Sequence, residues 1–481
     1  ATVRVVADAP RLGAAGVAAL AALARAFGVS LALGGDAALA AEQDTLLLLP
    51  PGDPEPALPP PPPGPPVRSV TLHRIALPLR ELYVSAMYVR RSQPRLLAEL
   101  RLADGTTGWG ETGGGEDSAR LVAALARSWM GRDPLVERAR LRRAFARIAF
   151  DNRNGRNGLA AFAALDLAAW DASARLLGLP LAAMPGLEVV PALGSSPVGW
   201  PGATPAPGAR VTERPPPVPV AAPLPAAVPP AGIEDRAGLD RHMADAANAG
   251  RVADLAAAMA ARHGLTAFKW KSAGRDPGWD DAVMTALRRR LGPGARLRHD
   301  PNGAYAPDVA LDLGHRLAPL APEFLEDPTD GLEAMARLSL HLPTPIATNM
   351  AILSPADLAA RHRRGAGPGI VLGDLFYWGG IAGLRDMTLV CRAIGLTPAL
   401  HSFYESAVAT AANAHLAAAL GLAAPHPMDC GTPGLAADVV PEGVLRIEGG
   451  MLHAPPGPGI GLTPDPALLR ALATAEPETI A

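Results

Sequence analysis

The only two lysines of this 481-residue chain stand one residue apart, Lys269 and Lys271, in the stretch TAFKWKSAG. The chain has 44 Lys+Arg, so the other 42 (44 − 2) are arginines. Arginine stays protonated, whereas burial or nearby positive charge can tune a lysine toward neutrality. Lysine kept twice in one strand therefore marks candidates for proton chemistry. Period-two alternation directs both to one face, with Trp270 opposite. Two adjacent ammonium groups are expected to lower each other's pKa, leaving one as a base near neutrality and the other as a cation.

Further polar residues follow at regular distances. Asp300, Glu326, Asn349, Asp374 and His401 stand 29, 26, 23, 25 and 27 residues apart, counted from Lys271. Asp300, Glu326 and Asn349 are hard oxygen ligands with no sulfur or imidazole among them, a set that suits Mg²⁺. Asp and Asn also serve as helix N-caps, but three in succession at this spacing, flanked by the lysines and a histidine, favour a metal site. Asp374 is placed to orient His401 as an acid/base dyad. Such parts suit removal of a weakly acidic α-proton, with a bound cation taking up the charge of an enediolate.

Each of these residues ends an apolar run: TAFKWK, ARLRHD, EFLE, TPIATN, GIVLGD and LTPALH. A helical run precedes each strand, and one strand, one helix and two loops occupy about this spacing. Right-handed β/α units make a parallel sheet. Chemistry at the C-terminal ends of many consecutive strands predicts a closed β/α barrel over residues 189–439. Upstream, VTLHRIALPL and PRLLAELRLADGTTGWGE read as strands around a turn at Asp104-Gly105, followed by helices over 117–147 and 158–177. This α+β capping domain is expected over 67–188, completed by about 440–475. Residues 1–50 (TVRVVAD, AAGVAALAALARAFG, VSLALGG, TLLLLPP) read as a small α/β segment of unassigned role, and 51–66 as a proline-rich linker. Residues 196–232, rich in Pro, Ala and Val, read as an extended or disordered insertion.

Bulk properties narrow the function. The net charge of −2 and pI near 6.7 carry no basic footprint for nucleic acid. No uninterrupted apolar run is long enough for a membrane span. Two cysteines, Cys391 and Cys430, make no disulfide framework and fit a reducing compartment. With no signal-peptide pattern at the N-terminus, a soluble cytoplasmic protein is expected, with a small molecule as its partner; a homo-oligomer is compatible with the sequence.

From about 69 to 475 the chain resembles the enolase superfamily, mandelate racemase subgroup, and within it the D-glucarate dehydratase-like proteins. The resemblance rests on the ordered set GWGETGGGE, FKWK, DPNGAY, LEDP, ATNM, GDLFYWGG, HSFYES and PPGPGIGL. It implies a (β/α)7β barrel under a capping domain, a K-x-K pair at Lys269 and Lys271 with the second lysine as base, and Mg²⁺ on Asp300, Glu326 and Asn349. It also implies a dyad of Asp374 and His401. The Asn in ATNM resembles glucarate dehydratases, where most relatives in the subgroup carry Glu. HSFYE departs from the Ser-Asn-Asn that usually follows the dyad His, and ELYVSAMYVRRSQ lacks the usual His and Asn of the first capping loop. Arg90 and Arg91 are candidates to clasp a distal carboxylate together. Asn302 and Glu405 are further candidates for substrate contact, and Tyr83, Tyr88 and Trp109 either line the lid or pack the cap. The implied function is Mg²⁺-dependent dehydration of an acid sugar to a 2-keto-3-deoxy acid. The alternatives are a racemase or epimerase on the same scaffold, or a non-catalytic relative that binds Mg²⁺ and acid sugars.

Overall fold

The computed structural model describes residues 64–146, 157–184, 186–187, 215–233 and 235–481, together with two short strands, Ala32–Leu33 and Leu47–Leu48. The chain divides into two compact units, residues 1–63 with 354–366 and residues 64–353 with 367–481. In the first unit the two short strands pair in parallel, within the runs VSLALGG and TLLLLPP. The helix expected over 14–28 and the linker over 51–63 lie outside the described residues.

The second unit holds the cap and the barrel. The cap is an antiparallel sheet of β1 (Val67–Val84), β2 (Val89–Leu102) and β3 (Thr107–Gly113). Three helices follow, α1 (Glu116–Ala126), α2 (Pro134–Ala146) and α3 (Asn157–Leu176). The turn between β2 and β3 has Gly105 at φ 93°, a conformation that favours glycine. The alternate glycines of GWGE have a packing reason. A Cβ on Gly108 or Gly110 would lie 2.1 Å from the Ala168 carbonyl oxygen or 1.9 Å from that of Ala164, so α3 rests on β3 only because side chains are missing there. The core between sheet and helices is apolar and includes Leu96, Leu100, Trp129, Phe162 and Leu165.

Inside the cap, Asp171 of α3 is fully buried. Its carboxylate accepts from the Trp109 and Ile460 backbone N–H groups (2.9 and 2.8 Å) and pairs with Arg175 at 3.0 Å. Burial outweighs these partners and lifts its pKa to about 6. Because the folded value is raised, this stabilisation is full below the unfolded carboxylate range and is lost as pH rises through about 6. The difference from an ordinary aspartate corresponds to about 3 kcal/mol. Chemical denaturation is expected to show stability falling between about pH 4 and 6, with a shallower fall in Asp171→Asn; an unchanged slope in that variant would contradict the assignment.

The barrel runs from β4 (Val218–Leu224) through β5 (Ala267–Lys271), β6 (Arg296–Asp300), β7 (Phe324–Glu326), β8 (Ile346–Thr348), β9 (Ile370–Gly373) and β10 (Thr397–Leu400) to β11 (Met428–Asp429). Neighbours from β4 to β10 pair in parallel in sequence order, and β11 pairs with β4. A helix or helices lie between each successive pair of strands, which gives the expected (β/α)7β order. Among the described residues no helix is long and apolar enough to cross a membrane.

Two domain readings are corrected. Residues 218–224, read as part of an insertion, form the buried first strand of the barrel; residues 196–214 lie outside the described set. Pro219 and Pro223 disguise the strand because proline has no N–H for a ladder. Pro219 lies opposite Met451 and Pro223 opposite Lys269, while Ala221 accepts from the Cys430 N–H on the β11 side. In addition, β12 (Arg446–Glu448) and β13 (Met451–His453) form a hairpin on β4 rather than completing the cap. The cap is completed by α4 (Pro466–Leu472) and β14 (Glu478–Ile480), which pairs with β1.

Candidate active site

Lys269 and Lys271 both turn inward from β5, as alternation requires, and Trp270 points outward to stack 5.6 Å from His299. The lysines do not face each other alone. Lys269 Nζ donates to Glu326 Oε1 at 3.1 Å and to Asp429, and lies 3.9 Å from Asp300. Lys271 Nζ donates to Asp300 Oδ2. Burial alone would lower the Lys271 pKa, but Asp300 and Glu326 hold it above the ordinary lysine value. The expected mutual depression is therefore corrected for Lys271: the attraction of Asp300 and Glu326 outweighs its burial. Burial would raise Asp300, yet Lys271 and Lys269 hold it below the usual carboxylate range. Glu326 is held well above that range by burial and by the adjacent Asp300.

His401 directly follows β10 and is buried. Its ring meets Phe403 edge-on at 4.4 Å. Burial, then the charges of Lys269 and Lys271, hold its pKa well below the ordinary value, so the imidazole is neutral near pH 7. Asp374 ends the neighbouring strand, and the His401 N–H donates to the Gly373 carbonyl at 2.8 Å. The expected dyad bond is not formed, because His401 Nδ1 has no hydrogen-bond partner among the described residues. Asp374 Oδ1 instead accepts from the Phe376 and Tyr377 N–H groups at 2.8 and 2.7 Å, capping its own turn. His401 joins Glu326 and Asp429, the three offering ligand atoms within 4.8 Å of one another.

The fit to a cation can be read from unmet acceptors. Glu326 Oε2 and Asn349 Oδ1 are buried with no hydrogen-bond partner among the described residues, and buried acceptors left unmatched are costly. With Asp300 they make a hard oxygen set from three adjacent strands, which suits a divalent cation such as Mg²⁺. Asn349 is positioned by Asp327 of LEDP, whose carboxylate accepts from the Asn349 N–H at 2.9 Å and from the Thr348 hydroxyl. Asp327 also accepts the Gly303 N–H at its carbonyl. Burial, then the charge of Asp300, raises its pKa to about 7.

The cap reaches the site through the β1–β2 hairpin. Ala86 N–H donates to the Ser272 carbonyl at 2.9 Å, and Ala226 N–H to the Val84 carbonyl at 2.7 Å. Tyr83 packs 4.8 Å from Tyr404 and 5.8 Å from Tyr88. Its pKa is raised by burial and then by its neighbours Tyr404, Tyr88 and Asp300. Trp109 belongs to the cap interior, 5.5 Å from His73, and does not line the lid. Arg90 lies over the Tyr88 ring at 3.4 Å and donates to Gln93 at 2.9 Å. Arg91 is exposed; consecutive strand residues face opposite sides, so the two arginines do not clasp one carboxylate together. Asn302 sits at φ 52° beyond Asp300, with its N–H on Asp300 Oδ1 at 2.9 Å. Glu405 accepts from Ser402 and from the Phe403 N–H, so its carboxylate orders the loop after His401.

Several residues escaped the sequence reading. Asp429 ends a strand of only two residues, too short to register as a strand. Arg298 lies two residues before Asp300 on the same strand face, a signal that was available in RLRHD. Asp280 accepts from Ser272, His299 and Tyr305, tying the ends of β5 and β6 to one carboxylate.

Comparison with known proteins bears on this arrangement. The mandelate racemase / muconate lactonizing enzyme N-terminal domain matches residues 68–186, and the enolase C-terminal domain-like family matches residues 251–468. The chain belongs to the enolase superfamily. Both halves of this superfamily's architecture are present, so the chain is an enolase-superfamily enzyme. Among curated relatives it is similar to "Probable glucarate dehydratase" of Streptomyces coelicolor, 29% identical over 387 residues, 77% of this chain and 83% of that protein. Among solved structures it resembles an isomerase from Streptomyces coelicolor A3(2), with TM-score 0.69 and 28% identity, covering 85% of this chain and 99% of that one. It also resembles an enolase from Thermobispora bispora complexed with magnesium and formate, with TM-score 0.70 and 28% identity, covering 85% and 92%.

Proposed function

We propose that this enolase-superfamily enzyme dehydrates an acid sugar in the presence of Mg²⁺, giving a 2-keto-3-deoxy acid. One observation carries the reading: two lysines from β5 and a neutral histidine from β10 converge on the same buried carboxylates. The similarity to a glucarate dehydratase and the magnesium in a solved relative support it.

Asp300, Glu326 and Asn349 would hold the cation. When bound, it would supply positive charge to a substrate carboxylate as the α-proton leaves. His401, already neutral, takes that proton at a ring nitrogen. Lys269 supplies fixed positive charge to the developing carboxylate charge. Protonated His401 returns the proton to the β-hydroxyl, which departs as water, and the enol left behind tautomerises to the keto acid. Lys271 is the second proton-handling group. Arg90 and Asn302 are the proposed contacts for the rest of the sugar.

Incubation of the protein and Mg²⁺ with a panel of mono- and di-acid sugars, scored for 2-keto acid, is the test. Product is expected with at least one sugar, and its loss in Lys271→Ala. A panel without product would remove the dehydratase reading. A racemase or epimerase reading is favoured by the same pair, since Lys271 and His401 both border the carboxylates. Exchange of the α-hydrogen in D₂O without keto acid would select it.

A further inference from the structure

Lys269 shares a buried carboxylate with a second cation. Lys269 and Arg298 are direct register partners on β5 and β6, so two positive side chains enter the barrel interior side by side. Asp429 of β11 lies between them: Oδ1 accepts from Arg298 Nη1 at 2.7 Å and Oδ2 accepts from Lys269 Nζ. The guanidinium is wholly buried and met on every edge. Its Nε donates to Glu323 Oε2 at 2.7 Å and its Nη2 to the Pro427 carbonyl at 2.8 Å. Glu323 is fixed in turn by Arg296 at 3.1 Å and His426 at 2.8 Å, at the base of the barrel.

Geometry gives this arrangement a direction. A planar guanidinium bound at three edges has no remaining rotation, so it presents its Nη1 N–H to Asp429 in one orientation. A lysine at 298 could satisfy one of these acceptors but not all three. Asp429, fixed through Oδ1, offers Oδ2 to Lys269 at one point in space. Lys269 has a flexible four-carbon stem and would otherwise choose among Glu326, Asp300 and Asp429.

We propose that Arg298 and Asp429 are positioning residues that aim the Lys269 ammonium at the substrate end of the barrel. The proposal uses the functional reading above only for what Lys269 then does.

The sequence supplies a probe, because the chain has two lysines. Protein labelled with ¹³C,¹⁵N-lysine should show two side-chain Nζ resonances, assigned with Lys271→Arg. In the wild-type protein the Lys269 ammonium protons should exchange slowly. In Asp429→Asn, and in Arg298→Met, the Lys269 resonance should move and its exchange quicken at least about tenfold, by analogy with loss of a buried charged hydrogen bond. Circular dichroism establishes folding. If Arg298→Met does not fold, the near-isosteric Asp429→Asn decides. Rapid Lys269 exchange in the wild type, or an unmoved Lys269 signal in folded Asp429→Asn, would overturn the proposal. These readings need no turnover, so they stand even if no acid sugar reacts. Where a substrate is found, Asp429→Asn should lower kcat about 10–100-fold with KM changed less than about threefold, as expected for a misplaced group. Equal kcat would count against positioning, and Arg298→Lys should recover little of the loss.

Discussion

His401→Asn is expected to lower keto-acid formation by about 10²–10⁴-fold, the usual share of a positioned general acid or base. The side chain directly follows β10 and is held by Phe403 edge-on at 4.4 Å. It is neutral for a physical reason: burial and two nearby ammonium groups oppose a third positive charge. Asparagine keeps much of the volume and polarity but cannot carry a proton between two carbons' substituents. The measurement is steady-state keto-acid formation on whichever acid sugar the panel identifies, with the melting temperature as a control. Activity within tenfold of wild type, in a folded variant, would exclude His401 from proton transfer.

Arg95→Ala is expected to destabilise the protein by about 3–5 kcal/mol, the usual effect of removing one partner of a buried ion pair. Glu111 of β3 is fully buried and lies 3.3 Å from Arg95. It also accepts from the Ser406 N–H and hydroxyl at 2.9 and 2.6 Å and from the Ala409 N–H at 3.1 Å. Arg95 donates to the carbonyls of Tyr404 and Phe403. Cap residues thus hold the barrel loop that follows His401. Burial already raises the Glu111 pKa against the opposing charge of Arg95, so loss of the arginine leaves a buried carboxylate with only the neutral Ser406 and Ala409 donors to offset its desolvation. Chemical denaturation of Arg95→Ala against wild type measures the loss; a change below about 1 kcal/mol, the range of an exposed pair, would show that the latch carries no such load. Activity should fall as well, because the loop after His401 loses its tether.

Much of this molecule was legible one residue at a time. GWGE announces a strand on which a helix rests closely, because only glycine admits the Ala164 and Ala168 carbonyls. The separation of Arg90 and Arg91 to opposite faces could have been read from strand alternation alone. The first barrel strand could not: its prolines hide it, and one of the partners that define it, β11, stands some two hundred positions away.

By itself the chain determined the residue types at the barrel rim, their spacing, the inward direction of the two lysines and the order of strands and helices. These follow from periodicities of two and 3.6 residues and from the length of a β/α unit, which are local. Only the tertiary structure decided which charges meet. Lys269 finds Asp429 across 160 residues, and Arg95 reaches Tyr404 across 309. Whether a lysine is a free base or a held cation, and whether a histidine is partnered by an aspartate or turned to a carboxylate cluster, depends on distances of a few ångströms between strands. No spacing along the chain encodes those distances, because they arise when the sheet closes and water leaves its interior.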